Sequence, residues 1–108
     1  MEIAFCSQEL RALFESAQAM RTKFGTDAAD TLMTLISELR AAESIEDIVG
    51  LHVHTTSAVP PYSIAISTDK RLWLEIRANH VKIPTGSHGF VAWEHVYMIK
   101  IMGIENGS

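Results

Sequence analysis

The stretch that decides the fold is Tyr62-Ser63-Ile64-Ala65-Ile66-Ser67, then Thr68-Asp69-Lys70, then Arg71-Leu72-Trp73-Leu74-Glu75-Ile76-Arg77. Two runs of aliphatic, β-branched and aromatic residues flank three turn-forming residues, which predicts two antiparallel strands joined by a short turn. Strand side chains alternate between faces. In the second run Leu72, Leu74 and Ile76 therefore share one face, and Arg71, Trp73, Glu75 and Arg77 share the other. Downstream, residues 79–94 read as irregular, with Pro84, Gly86 and Gly89, and His95 to Ile104 reads as a last apolar strand. Upstream, Leu51 to His54 is short and extended, and Thr55 to Pro61, which ends in two prolines, reads as a loop.

The N-terminal half follows a different period. Ile3 and Phe5 alternate with Glu2 and Ala4, the pattern of a short half-buried strand up to Cys6. Ser7 offers a hydroxyl to cap a helix whose apolar stripe is Leu10, Leu13, Phe14, Ala17, Met20 and Phe24. Arg11 and Glu15, four apart, form a weak pair on its outer side. Gly25 ends that helix, and Thr26 or Asp27 caps a second one with the stripe Ala28, Leu32, Leu35, Ile36 and Leu39. So short a connection predicts an antiparallel helical hairpin. Ser44-Ile45-Glu46-Asp47 has the form of a capping box and predicts one further turn. The order β-α-α-β-β-β implies an α+β fold: two N-terminal antiparallel helices packed on an antiparallel sheet of about four strands.

Composition bounds the rest. The 108 residues make a single domain, 1–108, and 47% hydrophobic with 20% charged residues describes a globular chain. The lone Cys6 excludes an internal disulfide framework and a multi-cysteine zinc ribbon. No apolar run reaches the roughly 18 residues of a membrane helix, and no signal pattern opens the chain, so a cytoplasmic location without membrane contact is expected. The net charge of −4 is divided unevenly: residues 1–54 carry nine acids against four bases, and residues 55–108 four acids against five bases. Such a balance is a poor electrostatic footprint for nucleic acid, so an RNA role must rest on a local patch.

Three stretches carry a family resemblance. Phe24-Gly25 with Leu39-Arg40-Ala41-Ala42 and Ser44-Ile45-Glu46-Asp47-Ile48 resembles a second helix and its "A-x-S-L-x-D-L" sequel. Leu51-His52 resembles "L-H-x-L-K-G", and Tyr62-Ser63-Ile64-Ala65-Ile66 followed by Arg71-Leu72-Trp73-Leu74 resembles "W-S-I-x-I…W-R-I-x-F". These are similar to the RelE/ParE superfamily of type II toxin–antitoxin modules, closest to its HigB-like, plasmid maintenance killer branch. The resemblance implies a RelE-like fold and the toxin component of such a system, a ribosome-dependent mRNA endoribonuclease (mRNA interferase). A cognate antitoxin would be its partner, with the ribosome and mRNA as further partners, no cofactor, and a homo-oligomer left open.

Carried over residue by residue, Arg71 matches the arginine that contacts the scissile phosphate, and His52 matches the histidine before the loop. Lys70, Arg77, His54 and Trp73 would contribute RNA contacts. The sequence departs from the family at two chemical positions: the loop lysine falls on Thr55, and the C-terminal "D-Y-H" falls near Asn106-Gly107-Ser108. Each positioned acid or base contributes roughly 10²–10⁴-fold to such a cleavage, so the alternative is a fold-retaining relative that binds an antitoxin or another protein without cutting RNA.

The ordinary reading of each residue stands beside the functional one. Arg71 suits a solvated strand-end charge, and Trp73 suits an aromatic covered by a helix, a loop or a partner. His52 and His54 point to one side of an extended segment, and His80, His88 or His95 would be needed to complete a metal site, which no zinc spacing supports. Cys6 reads as a small buried hydrophobe.

Overall fold

The computed structural model describes residues 1–57, 62–86 and 89–107. It is a mixed α+β structure with three helices and one five-stranded sheet. In chain order these are β1 (Glu2–Phe5), α1 (Gln8–Glu15), α2 (Ala17–Phe24), α3 (Thr26–Ala41), β2 (His52–Ser57), β3 (Ser63–Ser67), β4 (Leu72–Ala78) and β5 (Met98–Asn106). Single 3₁₀ turns at Ile45–Asp47 and Trp93–His95 complete the set.

The helical half departs from expectation at Ser16, at the cap of α3 and at the Arg11–Glu15 pair. The stripe from Leu10 to Phe24 is cut at Ser16, which ends α1 and caps α2 by accepting the Ala19 N–H at 3.1 Å. A serine hydroxyl competes with the backbone for its own hydrogen bonds, so it turns a helix interior into a boundary. The apolar spacing survives the cut, with Phe14 and Met20 both buried. Ser7 caps α1 as expected, accepting from Leu10 N–H at 3.1 Å. The expected cap of α3 is corrected: Gly25 occupies that position at φ 85°, with no side-chain bond from Thr26 or Asp27. Positive φ is inexpensive for glycine alone, which is why the chain turns there. Arg11 forms no ion pair with Glu15 among the described residues and lies over the Phe5 ring instead, 5.8 Å from its centroid.

The sheet order is β1-β5-β4-β3-β2, with β1 parallel to β5 and every other pair antiparallel. The expected antiparallel sheet of about four strands is thus a mixed sheet of five. Thr55 and its neighbours to Ser57, expected in a loop, continue β2, while residues 58–61 of that expected loop lie outside the described residues. The last strand starts at Met98, after the 3₁₀ turn, and not at His95.

One face of the sheet carries the core. Ile64 and Ile66, Leu72, Leu74 and Ile76, and Ile99 and Ile101 pack with Leu32, Leu35, Ile36 and Leu39 of α3. Burying seven such aliphatic sheet residues contributes on the order of 1.5–3 kcal/mol each before chain entropy is counted. β5 keeps its apolar residues on that face through a bulge: Glu75 opposes Gly103 and Ile76 opposes Ile101, leaving Met102 unpaired. The extra residue shifts the alternation by one, so Ile99, Ile101 and Ile104 all face inward. The chain start is tied to the helical layer, since the Met1 ammonium donates to the carbonyls of Arg40 at 2.9 Å and Ala42 at 2.6 Å, at the end of α3. Among the described residues, no helix is long and apolar enough to cross a membrane.

Candidate functional site on the outer sheet face

The opposite face of the sheet holds most of the residues singled out from the sequence. The register puts His54 opposite Ala65 and Ala65 opposite Glu75, which makes one row across β2, β3 and β4. A second row runs from Ser63 to Arg77 to Lys100 to Ala4. A third joins His52 to Ser67, with Trp73 and Glu105 paired on the next strands. Small residues line the middle strand: Ser63, Ala65 and Ser67 are all buried. They are shielded by the larger side chains of the neighbouring strands, because directly opposed residues stand about 4.5–5.5 Å apart.

Trp73 is held on this face by two contacts. His54 meets it edge to face, with ring centroids 4.7 Å apart at 64°. Gly107, which donates its N–H to the Arg71 carbonyl at 2.8 Å, passes so close to the indole that a side chain there would strike Trp73 and the Lys70 carbonyl. Trp73 is therefore covered by a histidine and by backbone, not by the helices.

Arg71 does not join this face. β4 begins at Leu72, and Arg71 belongs to the preceding turn. Its Nε donates to Asp69 at 2.6 Å, its other guanidinium nitrogen donates to the Thr31 hydroxyl of α3 at 3.2 Å, and its backbone N–H donates to Asp69 at 2.9 Å. Thr31 lies on the helical side of the sheet, next to Leu32 and Leu35, whereas His52 lies two residues from His54 on the outer side. The expectation that Arg71 shares a face with Trp73 and Arg77 is corrected accordingly. The turn itself is tight: Lys70 takes φ 66°, and Ser67 Oγ accepts its N–H at 2.9 Å. Burial pushes the Asp69 carboxyl upward, but the backbone N–H and guanidinium of Arg71, with the Leu72 N–H, outweigh it and hold Asp69 below its ordinary value of 3.8.

Two cations on the outer face meet no acid among the described residues. Arg77 and Lys100 are direct cross-strand partners, and neither forms an ion pair among the described residues. Arg77 Nε is shielded from solvent and has no acceptor among the described residues. Beside them the Thr56 and Ser63 hydroxyls share a hydrogen bond of 2.7 Å. Lys100 was not singled out from the sequence, because its pairing with Arg77 depends on the Met102 bulge.

The remaining candidates are dispersed. His80 Nε2 accepts the N–H groups of Tyr97 and Met98 at 3.2 and 3.3 Å, and its ring packs edge-on against Tyr97. A nitrogen accepting two backbone donors has no lone pair left for a metal. His95 is exposed on the 3₁₀ turn, and His88 lies outside the described residues. No group of three metal-ligating side chains occurs among the described residues. Cys6, expected to be buried, is exposed and donates its thiol to the Met102 carbonyl at 3.2 Å.

Comparison of the chain with protein-family models, with curated proteins and with solved structures found no match.

Proposed function

We propose that this chain is a HigB-like domain of the RelE superfamily that acts by binding a protein partner, an antitoxin-like chain, without cleaving RNA. The order of a strand, a helical segment and a run of strands agrees with the fold that the resemblance implies. The observation that carries the non-cleaving reading is the engagement of Arg71 by Asp69 and Thr31, on the side of the sheet opposite His52. A phosphorane-like transition state needs positive charge and proton donors and acceptors aimed at one point. The residues matched to those roles point to two different sides.

Charge supports the same reading. The outer face sets Arg77 and Lys100 against Glu2, Glu75 and Glu105, a balance of −1 that offers no field to draw in the ribosome, a polyanion.

Induced expression in a bacterial host, alone and with the product of the adjacent reading frame, tests the proposal. Normal growth, unchanged mRNA 5′ ends and co-purification with that product are the expected results. Growth arrest with new in-frame cuts, abolished by Arg71→Ala, would overturn it in favour of the ribonuclease reading through Arg71 and His52.

A further inference from the structure

We propose that the cleft between the start of β3 and the segment following β4 binds a neutral, planar aromatic molecule of one or two rings. The cleft lies on the helical side of the sheet, away from the outer face, so the inference goes beyond the partner-binding reading and is tested without any partner.

Three observations converge. The first is size. Thr55 of β2 stands opposite Ile64 of β3, on the face that carries the core. With Tyr62, Phe90, Val91 and Trp93 they border a cleft of about 280 Å³. An apolar cavity of roughly 150 Å³ takes up one benzene ring, so this cleft has room for two fused rings. The second is that its walls are built. Ile64 is buried, and Val91 and Trp93 pack against the core. The segment carrying Phe90 is tied back on itself: Thr85 bridges Val91, Gly86 N–H donates to the Phe90 carbonyl at 2.7 Å, and Ala92 N–H donates to the Pro84 carbonyl at 2.9 Å. The third is the rim. Phe90 is 63% exposed although its backbone is fixed, so a large apolar ring stands in water beside the cleft. A ligand that covers it removes that surface from water.

The chemistry of the lining selects the ligand. Tyr62, Phe90 and Trp93 bring three aromatic rings to one cleft, and aromatic pairs gain attraction beyond the area they bury. A planar ligand is also rigid, so little freedom is lost on binding. None of the described residues lining the cleft carries a charge. A phosphate, carboxylate or ammonium group would shed its water there without a counter-charge, which favours a neutral molecule and disfavours a nucleotide. The hydroxyls of Thr55 and Tyr62 suit a single polar group on such a ring. With so few atoms in contact, the dissociation constant is on the order of millimolar.

The test is an NMR titration of the intact chain with indole at neutral pH, with cyclohexanol as the non-planar reference and indole-3-acetate as the charged one. The expected result is saturable shifts of the Trp93 indole N–H and of the Ile64 and Val91 amides, with the Trp73 indole N–H unmoved. Cyclohexanol and indole-3-acetate bind more weakly than indole. Phe90→Ala, at an exposed ring, weakens indole binding by about three- to tenfold, the worth of one aromatic contact. Thr55→Phe fills the cleft and abolishes binding. Thr55 is exposed on an edge strand, where an aromatic residue suits the backbone, so that variant keeps the fold. Linear shifts, or equal shifts at Trp73, would mean adventitious stacking and overturn the proposal. So would cyclohexanol or indole-3-acetate binding as tightly as indole, or unchanged affinity in a folded Thr55→Phe variant.

Discussion

Leu72, Leu74 and Ile76 are 6%, 0% and 0% exposed, whereas Trp73, Glu75 and Arg77, the residues between them on the same strand, are each partly open to solvent. The inner set touches aliphatic side chains of α3 and of the neighbouring strands. The outer set touches a histidine, the chain's own backbone near Gly107, and a lysine of like charge. One strand thus contributes to stability with one side and offers chemistry with the other. Residues on the inner side have no alternative contacts, while those on the outer side are held by few.

The sharpest way to break that contrast is a pair of neighbouring truncations. Leu74→Ala removes a fully buried side chain from the centre of the core, and the expected cost is about 2–5 kcal/mol of unfolding free energy. Glu75→Ala, one residue on, changes stability by about 0.5 kcal/mol or less, as surface substitutions away from special features do. Urea denaturation of both variants measures the difference. Comparable losses would mean that the outer face is packed against something and is not a free surface.

That contrast was readable in advance, because alternation within a single strand is a local signal. Leu72, Leu74 and Ile76 announced the core face, and Trp73 and Arg77 were placed opposite them. The signal fails where local order is interrupted or where distant segments meet. Ser16 divides one continuous apolar stripe without disturbing its spacing. The parallel pairing of β1 with β5 joins segments almost a hundred residues apart, and nothing within Glu2–Phe5 specifies its partner. Arg71 continues the alternation on paper but precedes the first paired residue, so Asp69 and Thr31 determine its direction. A clue to the β5 bulge was present: Ile99, Ile101 and Ile104 break the two-residue period next to Gly103. Read that way, it would have brought Lys100 alongside Arg77.

A second prediction concerns how the outer face is closed at its Trp73 corner. Gly107→Ala places a methyl group into the Lys70 carbonyl and the Trp73 indole, so the end of β5 must move away from the turn. Overpacking of this kind costs roughly 1–3 kcal/mol, with the low end expected where an end of the chain can shift. With Trp93→Phe leaving Trp73 as the sole tryptophan, its fluorescence moves to longer wavelength as the indole gains water. An unshifted spectrum would show that His54 alone covers the ring.

The turn between β3 and β4 links the two faces, and its stability depends on pH. Asp69 is held below 3.8, so it is ionised in the folded state more readily than in the unfolded chain. Its contribution is fully present above that ordinary value and is lost as pH falls through the lower folded one. Asp69→Asn keeps the side-chain size but loses the charge that holds Arg71. The expected cost at neutral pH is about 1 kcal/mol, the net worth of a charge-assisted hydrogen bond in a partly exposed setting. The difference from the unsubstituted chain narrows in acid below 3.8. A difference that stays constant down to strong acid would mean that the turn is held by Ser67 and the backbone alone.

The smallest effect carries the opposite sign. Lys100 faces Arg77 across the strand pair, and neither forms an ion pair among the described residues. Removing one of two opposed like charges relieves repulsion, so Lys100→Gln raises stability by about 0.2–1 kcal/mol at low salt. The gain shrinks as ionic strength rises, because about 0.15 M salt already screens exposed charges beyond roughly 8 Å. Thermal unfolding of both chains in low and high salt measures it. A charge introduced at the buried inner-face neighbour Ile101 would be ruinous, yet one residue away, on the outer face, discarding a charge strengthens the fold. A chain that keeps a mildly destabilising cation pair on its exposed face is one in which that pair does something other than hold the fold together. If Lys100→Gln instead destabilises the protein, the lysine stem is packing on the sheet, and the outer face is more like the inner one than the register implies.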